Sequence, residues 1–333
     1  MGQSNRSFRV ESNSDRLTIL QNLPSLSCLT LNGKETSMSK NFYASQSAYS
    51  EPGPYRETLL RFGAEPRSIA RWISSFLQHP RGTETKERGF TAEQAADLNL
   101  RSVADILSIA TNRNLLDRED AQPKVGGVCR DFAIIAVSAF RERGVPARLR
   151  VGFADYLVPG RWEDHWLCEW YECGRWKRLD VEFAAIGGVS FDTMDVPRER
   201  FLTASEAWFR IQGNPEMASR FGVSSLNLEG EWFVAGSLLR EMAALRKLEL
   251  KPWDYWGPSK DLSPFSTGLP REVRTVLDQL ASQLATVASD AEGEPEAIAN
   301  WPLPDEIVSF PHGEPLAVRL HHADDAQRQP IVG

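Results

Sequence analysis

Cys129, His165 and Asp180 are residue types that together could cut or transfer an acyl group. A thiolate attacks an acyl carbon. An imidazole takes the thiol proton and later returns it to a leaving amine. A carboxylate holds the imidazole tautomer and stabilises its cation. All three fall in one stretch, which opens Gly-Val-Cys-Arg-Asp at Gly127–Asp131, passes Glu-Asp-His-Trp at Glu163–Trp166 and closes Arg-Leu-Asp at Arg178–Asp180. Singly these signals are weak: a lone buried cysteine is usually a small hydrophobe, and a lone histidine is more often a satisfied core residue. Their value depends on the elements that carry them.

Cys129 opens a helix. Phe132, Ile135, Ala136, Ala139 and Phe140 recur at helical spacing, and Ala133, Ile134 and Val137 make the helix apolar on most sides. Arg141 and Arg143 suit its last turn, with Gly144 and Pro146 as stop signals. Gly126-Gly127 allows a tight approach. A cysteine in the first turn meets free N–H groups and the positive dipole end, so its expected pKa lies below the ~8.5 of ordinary cysteine.

His165–Tyr171 is aromatic-rich and reads as a strand, Glu172–Arg175 as a hairpin turn, and Trp176–Val181 as the returning strand. With the turn centred on Cys173-Gly174, His165 pairs with Glu182, and Asp180 is the diagonal neighbour on the same face. Such diagonals are roughly 7–8 Å apart. A slip by one residue would separate them, and Glu182 competes for the orienting role.

Gly-Val-Cys-Arg-Asp-Phe-Ala, Gly-Val-Pro-Ala-Arg at Gly144–Arg148, His165-Trp166 and Trp-Lys-Arg-Leu-Asp at Trp176–Asp180 together resemble the transglutaminase-like superfamily. The resemblance implies an α+β, papain-like fold. In it a central helix packs on an antiparallel sheet, here with added helices on both sides. It also implies a triad of Cys129 as nucleophile, His165 as base and Asp180 as orienter. Further segments between Tyr43 and Gly257 resemble a bacterial subgroup of stand-alone transglutaminase-like proteins. These are Ser47–Gly53, Gly152–Tyr156, Asp195–Phe201 and Lys251–Gly257. The implied reaction is hydrolysis of an amide or related acyl bond, or transfer of the acyl group to an amine. The substrate would be a peptide, a protein or a small acyl compound. An amide-forming acyltransferase of small-molecule biosynthesis is an alternative. So is a binding module that kept the fold, although such a module has no need of all three residues.

Other signals are weaker. His165, Cys168 and Cys173 do not make a metal site, because His165 and Cys168 face opposite sides of one strand and no second pair completes four ligands. No phosphate loop or dinucleotide fingerprint is present, so no cofactor is expected. Asp164 could pair with Arg130 or an incoming amine. Gln122 is a weak candidate for an oxyanion donor beside the Cys129 N–H. His79 reads as structural or solvent-facing, Asp155 and Trp162 as loop residues that pack rather than touch substrate, and His321-His322 as incidental.

At 333 residues, 41% hydrophobic and with ten Trp, the chain can build a substantial core. A formal charge of −7 argues against nucleic acid or an anionic membrane as partner. Four Cys do not make a disulfide scaffold, Met1–Arg16 lacks the apolar core of a secretory signal, and no transmembrane run appears, so a cytoplasmic setting is expected. Residues 1–41 read as a mostly disordered extension with a short strand at Ser27–Leu31. Residues 42–257 read as the catalytic domain, and 258–333 as a C-terminal helix and an acidic, Pro-rich tail. Within these, helices are expected over Pro66–Gln78, as one helix or a helix pair from Thr91 to about Asn112, and over Phe201–Ile211, Glu231–Leu250 and Val273–Val287. From Ala288 the chain is expected to be extended.

Overall fold

The computed structural model describes residues 42–61, 63–118, 122–259, 268–288, 296–311 and 313–320. All of them fall in one compact unit, Thr36–Gly333. The expected extension with its strand at Ser27–Leu31, and His321-His322, lie outside the described residues. The helices are α1 (Arg56–Arg61), α2 (Pro66–Phe76), α3 (Thr83–Arg88), α4 (Ala92–Asp97), α5 (Val103–Asn112), α6 (Cys129–Arg141), α7 (Val181–Ile186), α8 (Ala204–Gly213), α9 (Glu231–Leu245), α10 (Arg271–Ala288) and α11 (Glu296–Ala299). The strands are β1 (Leu77–Gln78), β2 (Val125–Gly126), β3 (Ala147–Ala154), β4 (Trp162–Glu172), β5 (Arg175–Leu179), β6 (Phe201–Thr203), β7 (Phe221–Val223), β8 (Leu228–Glu229), β9 (Asp254–Tyr255), β10 (Glu306–Ser309) and β11 (Leu316–Arg319). The chain is α+β.

The main sheet runs β6-β3-β4-β7-β8, and β5 also pairs with β4. Strand β3 is antiparallel to β4 along its whole length, from Ala147 opposite Trp170 to Ala154 opposite Glu163. Helix α6 lies against β3 and β4, buried throughout, with Phe140 stacked on Trp170 at 5.1 Å. Helix α9 packs on β3 as well. Arg148, Arg150, Glu169 and Arg178 share one face of the sheet and are buried. Glu169 accepts from Arg148 Nε at 2.8 Å and Arg178 Nε at 3.2 Å, and Arg150 reaches Glu241 on α9 at 2.7 Å. Burial opposes the Glu169 charge, but Arg150, Arg148 and Arg178 outweigh it and hold the carboxyl at about 2.

Local signals explain several boundaries. Thr91 and Gln94 form the expected reciprocal cap of α4, at 3.2 and 2.9 Å. The stripe Ile69, Trp72, Ile73 and Phe76 buries α2, which stops at Phe76 because Leu77-Gln78 pairs in parallel with Val125-Gly126. The helix or helix pair expected after Thr91 is a pair, α4 and α5, and Ser102 caps the second by accepting from the Asp105 N–H at 3.0 Å. Phe201–Thr203 is strand rather than helix. These residues pair with Gly152–Ala154, and Thr203 with Glu206 caps α8 only after the strand ends. Helix α9 ends at Leu245, before the expected Leu250. The expected extended tail contains a hairpin, β10–β11, which continues a sheet with β9. Arg101 fixes that sheet by a bidentate pair to Asp254 at 2.7 and 3.0 Å, while Ser309 Oγ bonds the same carboxylate at 2.7 Å.

Gly152 lies opposite His165 on β4 and opposite Thr203 on β6. A Cβ there would stand 2.1 Å from the Leu202 carbonyl oxygen and 2.7 Å from a Phe201 ring carbon. Gly152→Ala should therefore destabilise the protein by about 1–3 kcal/mol or more in urea unfolding, because backbone and not a flexible tip must move. An unchanged midpoint would contradict the close approach of β6.

Candidate active site

The first turn of α6 is fixed from below by charge. Val128 is the extended residue before the helix, and its N–H donates to Asp131 Oδ2 at 3.0 Å. The same carboxylate accepts from Lys251 Nζ at 2.7 and 2.9 Å and from Arg130 Nη1 at 3.0 Å. Arg130 also donates to the Glu249 carbonyl. Burial disfavours the Asp131 charge, but Lys251 and Arg130 reverse this and hold its pKa below the usual range. Burial pulls Lys251 down to about 8 against the attraction of Asp131. The approach loop is pinned too, by Gly127 N–H to the Gln78 carbonyl at 3.0 Å and Gly126 N–H to Asp97 Oδ2 at 3.0 Å. Cys129 is thus the first residue of a rigid helix and is 7% exposed.

His165 occupies a gap in the sheet. On the edge of β4 away from β3, β7 covers Trp162-Glu163 and β5 covers Cys168–Glu172. Residues 164–167 between them have no strand partner on that edge. The hairpin turn falls at Cys173-Gly174 and keeps the expected register, with Cys168 opposite Leu179. The ladder then stops. Asp180 does not continue β5 but caps α7, accepting the Phe183 N–H on Oδ1 at 3.1 Å. Glu182 is therefore helical and does not pair with His165. His165 Nε2 meets Asp180 Oδ2 at 2.8 Å. The ionised carboxylate requires Nε2 to carry the proton, which leaves Nδ1 as the second ring nitrogen. The Cys129 thiol is near enough to this ring to act on its charge. Tyr156 O–H also donates to Asp180 Oδ2, at 2.6 Å.

The electrostatics are specific. Burial disfavours a charged His165, yet the Asp180 charge and hydrogen bond, with Cys129, raise its pKa well above the ordinary value. Burial likewise opposes the Asp180 charge, but His165, Tyr156 and the Phe183 N–H lower its pKa overall. For Cys129 the expected lowering is overturned. Burial pushes the thiol up, His165 pulls it down, and the charges of Asp164 and Glu182 push it up again, so the net shift is upward. The helix start cannot overcome desolvation and two nearby carboxyls.

The remaining candidates separate cleanly. Asp164 does not pair with Arg130, which is committed to Asp131. Its Oδ1 is buried without a hydrogen bond among the described residues, and burial pushes its carboxyl up to about 6. Gln122 donates to Glu84 at 2.8 Å, away from the oxyanion role considered for it. Trp162 opens β4 rather than lying in a loop, and stacks on Phe221 at 5.8 Å, while Asp155 pairs with Arg200 at 3.1 Å in the loop after β3. His79 is half-buried and close enough to feel His165. Burial, then Arg81, then His165 lower it to about 3. Sequence reasoning missed Tyr156, Lys251 and the surroundings of His79. Only Tyr156 and Lys251 lay in segments that carried any signal, the stretches Gly152–Tyr156 and Lys251–Gly257. Among the described residues, no group of three or more His, Cys, Asp or Glu is arranged to hold a metal ion, and no helix is long and apolar enough to cross a membrane.

Burial pushes the half-buried Glu182 carboxyl up to about 7, with Asp180 adding to the rise and His165 opposing it. A folded pKa above the ordinary value means that the neutral acid is the favoured form. Glu182 therefore contributes stability below its unfolded pKa, and this is lost as pH rises through about 7. Above that pH its charge opposes a thiolate at Cys129. Glu182→Gln should move the midpoint of Cys129 alkylation by iodoacetamide to lower pH, by about half a unit. It should also raise Tm relative to wild type at pH 8 more than at pH 4.5. A midpoint that stays put or moves to higher pH would refute this electrostatic account.

Residues 83–181 match the model of the transglutaminase-like superfamily, a span that includes Cys129, His165 and Asp180. No curated protein matches the chain. A solved structure of a proposed cysteine protease from Cytophaga hutchinsonii matches at 20% identity and a TM-score of 0.31, covering 48% of this chain and 44% of that one. The chain thus spans less than half the length of that protein. Residues 83–181 form a transglutaminase-like domain, with added helices before it and added helices and strands after it.

Proposed function

We propose that Cys129, His165 and Asp180 are the nucleophile, general base and orienting carboxylate of a thiol enzyme acting on an amide or related acyl bond. One observation carries this reading. A single buried imidazole is held by Asp180 at 2.8 Å and lies near enough to Cys129, at the start of α6, for each to shift the other's proton affinity. The transglutaminase-like match over residues 83–181 supports it.

The steps follow from the groups present. His165 Nδ1 accepts the Cys129 proton, and Asp180 stabilises the resulting imidazolium. The thiolate adds to the acyl carbon, and the charge on the carbonyl oxygen develops beside the N–H groups of the helix start, the Cys129 N–H among them. The tetrahedral adduct collapses, the carbon–nitrogen bond breaks, and the imidazolium protonates the departing amine. This leaves an acyl thioester on Cys129. Water or a second amine then attacks, with His165 again taking the proton, and the thiol is released. The substrate class is a peptide, a protein or a small acyl compound. Burial disfavours a thiolate at Cys129 and His165 favours it, so the thiolate is carried by the imidazolium beside it.

The test is intact-mass analysis with an electrophilic acyl probe, followed by turnover once a substrate is in hand. Cys129 should be acylated ahead of the exposed Cys173. Cys129→Ala should form no adduct. His165→Ala should slow acylation by about 100- to 10,000-fold. Asp180→Ala should fall short of that loss, and the double variant should be no worse than His165→Ala alone, since the groups act as a unit. Acylation of Cys173 in preference to Cys129, or equal turnover in wild type and Cys129→Ala, would refute the proposal.

A further inference from the structure

The loop after β3 places one phenol against both members of the His165–Asp180 pair. The Tyr156 ring stands edge-on to His165, with centroids 6.0 Å apart and planes at 87°. It is held there by Phe183 at 5.3 Å and Phe191 at 5.0 Å. Its O–H donates at 2.6 Å to Asp180 Oδ2, the same oxygen that His165 Nε2 engages at 2.8 Å. The other oxygen, Oδ1, is occupied by the Phe183 N–H at 3.1 Å. The carboxylate therefore has three donors, and its plane is fixed from three directions. Two of them, the phenol and the imidazole, share one acceptor atom.

We infer that Tyr156 is a positioning residue that sets the proton affinity of His165 through Asp180; the inference rests on the triad reading above. The physical reason is competition for one oxygen. A hydrogen bond from the phenol draws charge off Oδ2 and makes it a weaker partner for the imidazolium. With the phenol present, His165 can take the thiol proton and still release it to a leaving amine. Without it, Oδ2 is more basic, the imidazolium is over-stabilised, and the carboxylate loses one of its three fixed directions. Burial and the neighbouring Asp180 keep the Tyr156 hydroxyl protonated, so it remains a donor.

The experiment measures the rate of Cys129 alkylation by iodoacetamide against pH, followed by intact mass, in the full chain. Tyr156→Phe keeps the ring and its packing and removes only the donor. Its alkylation midpoint should move to lower pH by about half a unit, because a more basic imidazole forms the thiolate–imidazolium pair earlier. Site-specific replacement of Tyr156 by 3-fluorotyrosine makes the phenol a stronger donor and should move the midpoint the opposite way. This chain decides the matter if Tyr156→Phe does not fold. In an Asp180→Asn background, Tyr156→Phe should cause no further shift. A Tyr156→Phe protein with a lower Tm and an unmoved midpoint would reduce Tyr156 to ring packing and overturn the inference. So would an equal shift in the Asp180→Asn background. A wild type whose Cys129 reacts no faster than Cys173 would overturn the triad reading and this inference with it, whereas a reactive Cys129 indifferent to the phenol would overturn this inference alone.

Discussion

A carboxylate buried at the end of a strand must be compensated, because an unpaired buried charge costs several kcal/mol. Asp180 is 1% exposed and meets this demand with three donors: a backbone N–H, a phenol and an imidazole. Each donor fixes a different part of the structure. The Phe183 N–H turns the chain from β5 into α7. The phenol ties the loop after β3 to the same point. The imidazole links it to β4. Because β5 ends here, the edge of β4 has no strand partner at residues 164–167 among the described residues. Had the ladder continued for three more pairs, Glu182 would sit opposite His165 and a strand would cover that edge.

A second buried carboxylate does the matching work for Cys129. Asp131 accepts from Val128, Arg130 and Lys251, so the helix start is bolted to a segment 120 residues later in the chain. That segment also carries Asp254, which holds Arg101 and Ser309 and with them the small C-terminal sheet. Replacing such buried pairs with apolar groups is often neutral for stability, so their contribution is better sought in geometry than in net energy. An apolar contact could slide, whereas a carboxylate with its donors at 2.7–3.0 Å leaves Cys129 little freedom.

Local patterns made the central part of the site legible in the sequence. The apolar periodicity of Phe132–Phe140 marks α6, the aromatic run after His165 marks β4, and Cys173-Gly174 marks the turn that sets the register. What was not legible came from competition or from distance along the chain. Asp180 reads as a residue of the returning strand, whereas in the structure it caps α7. The cap prevails because the Phe183 N–H, the Tyr156 hydroxyl and the His165 ring all reach it there. Phe201–Thr203 carries an apolar pattern compatible with a helix, but pairing with Gly152–Ala154 decides for strand. The Asp131–Lys251 bond, the sheet built from Asp254–Tyr255 and Glu306–Arg319, and the fate of Gln122 join residues tens to more than a hundred positions apart. No window of sequence contains both partners.

The thiol shows how far a local rule reaches before its surroundings take over. A helix start acts on Cys129 with partial charges that weaken within one turn. Desolvation acts on the whole side chain, and Asp164 and Glu182 add two carboxyls whose own affinities for protons are raised to about 6 and about 7. Among the groups acting on the thiol, His165 opposes them with positive charge, which Asp180 sustains. The helix therefore supplies position, and the histidine supplies most of the charge stabilisation. For a buried cysteine at a helix N-terminus, the informative feature is what faces the sulfur across the cleft, more than the turn on which it sits.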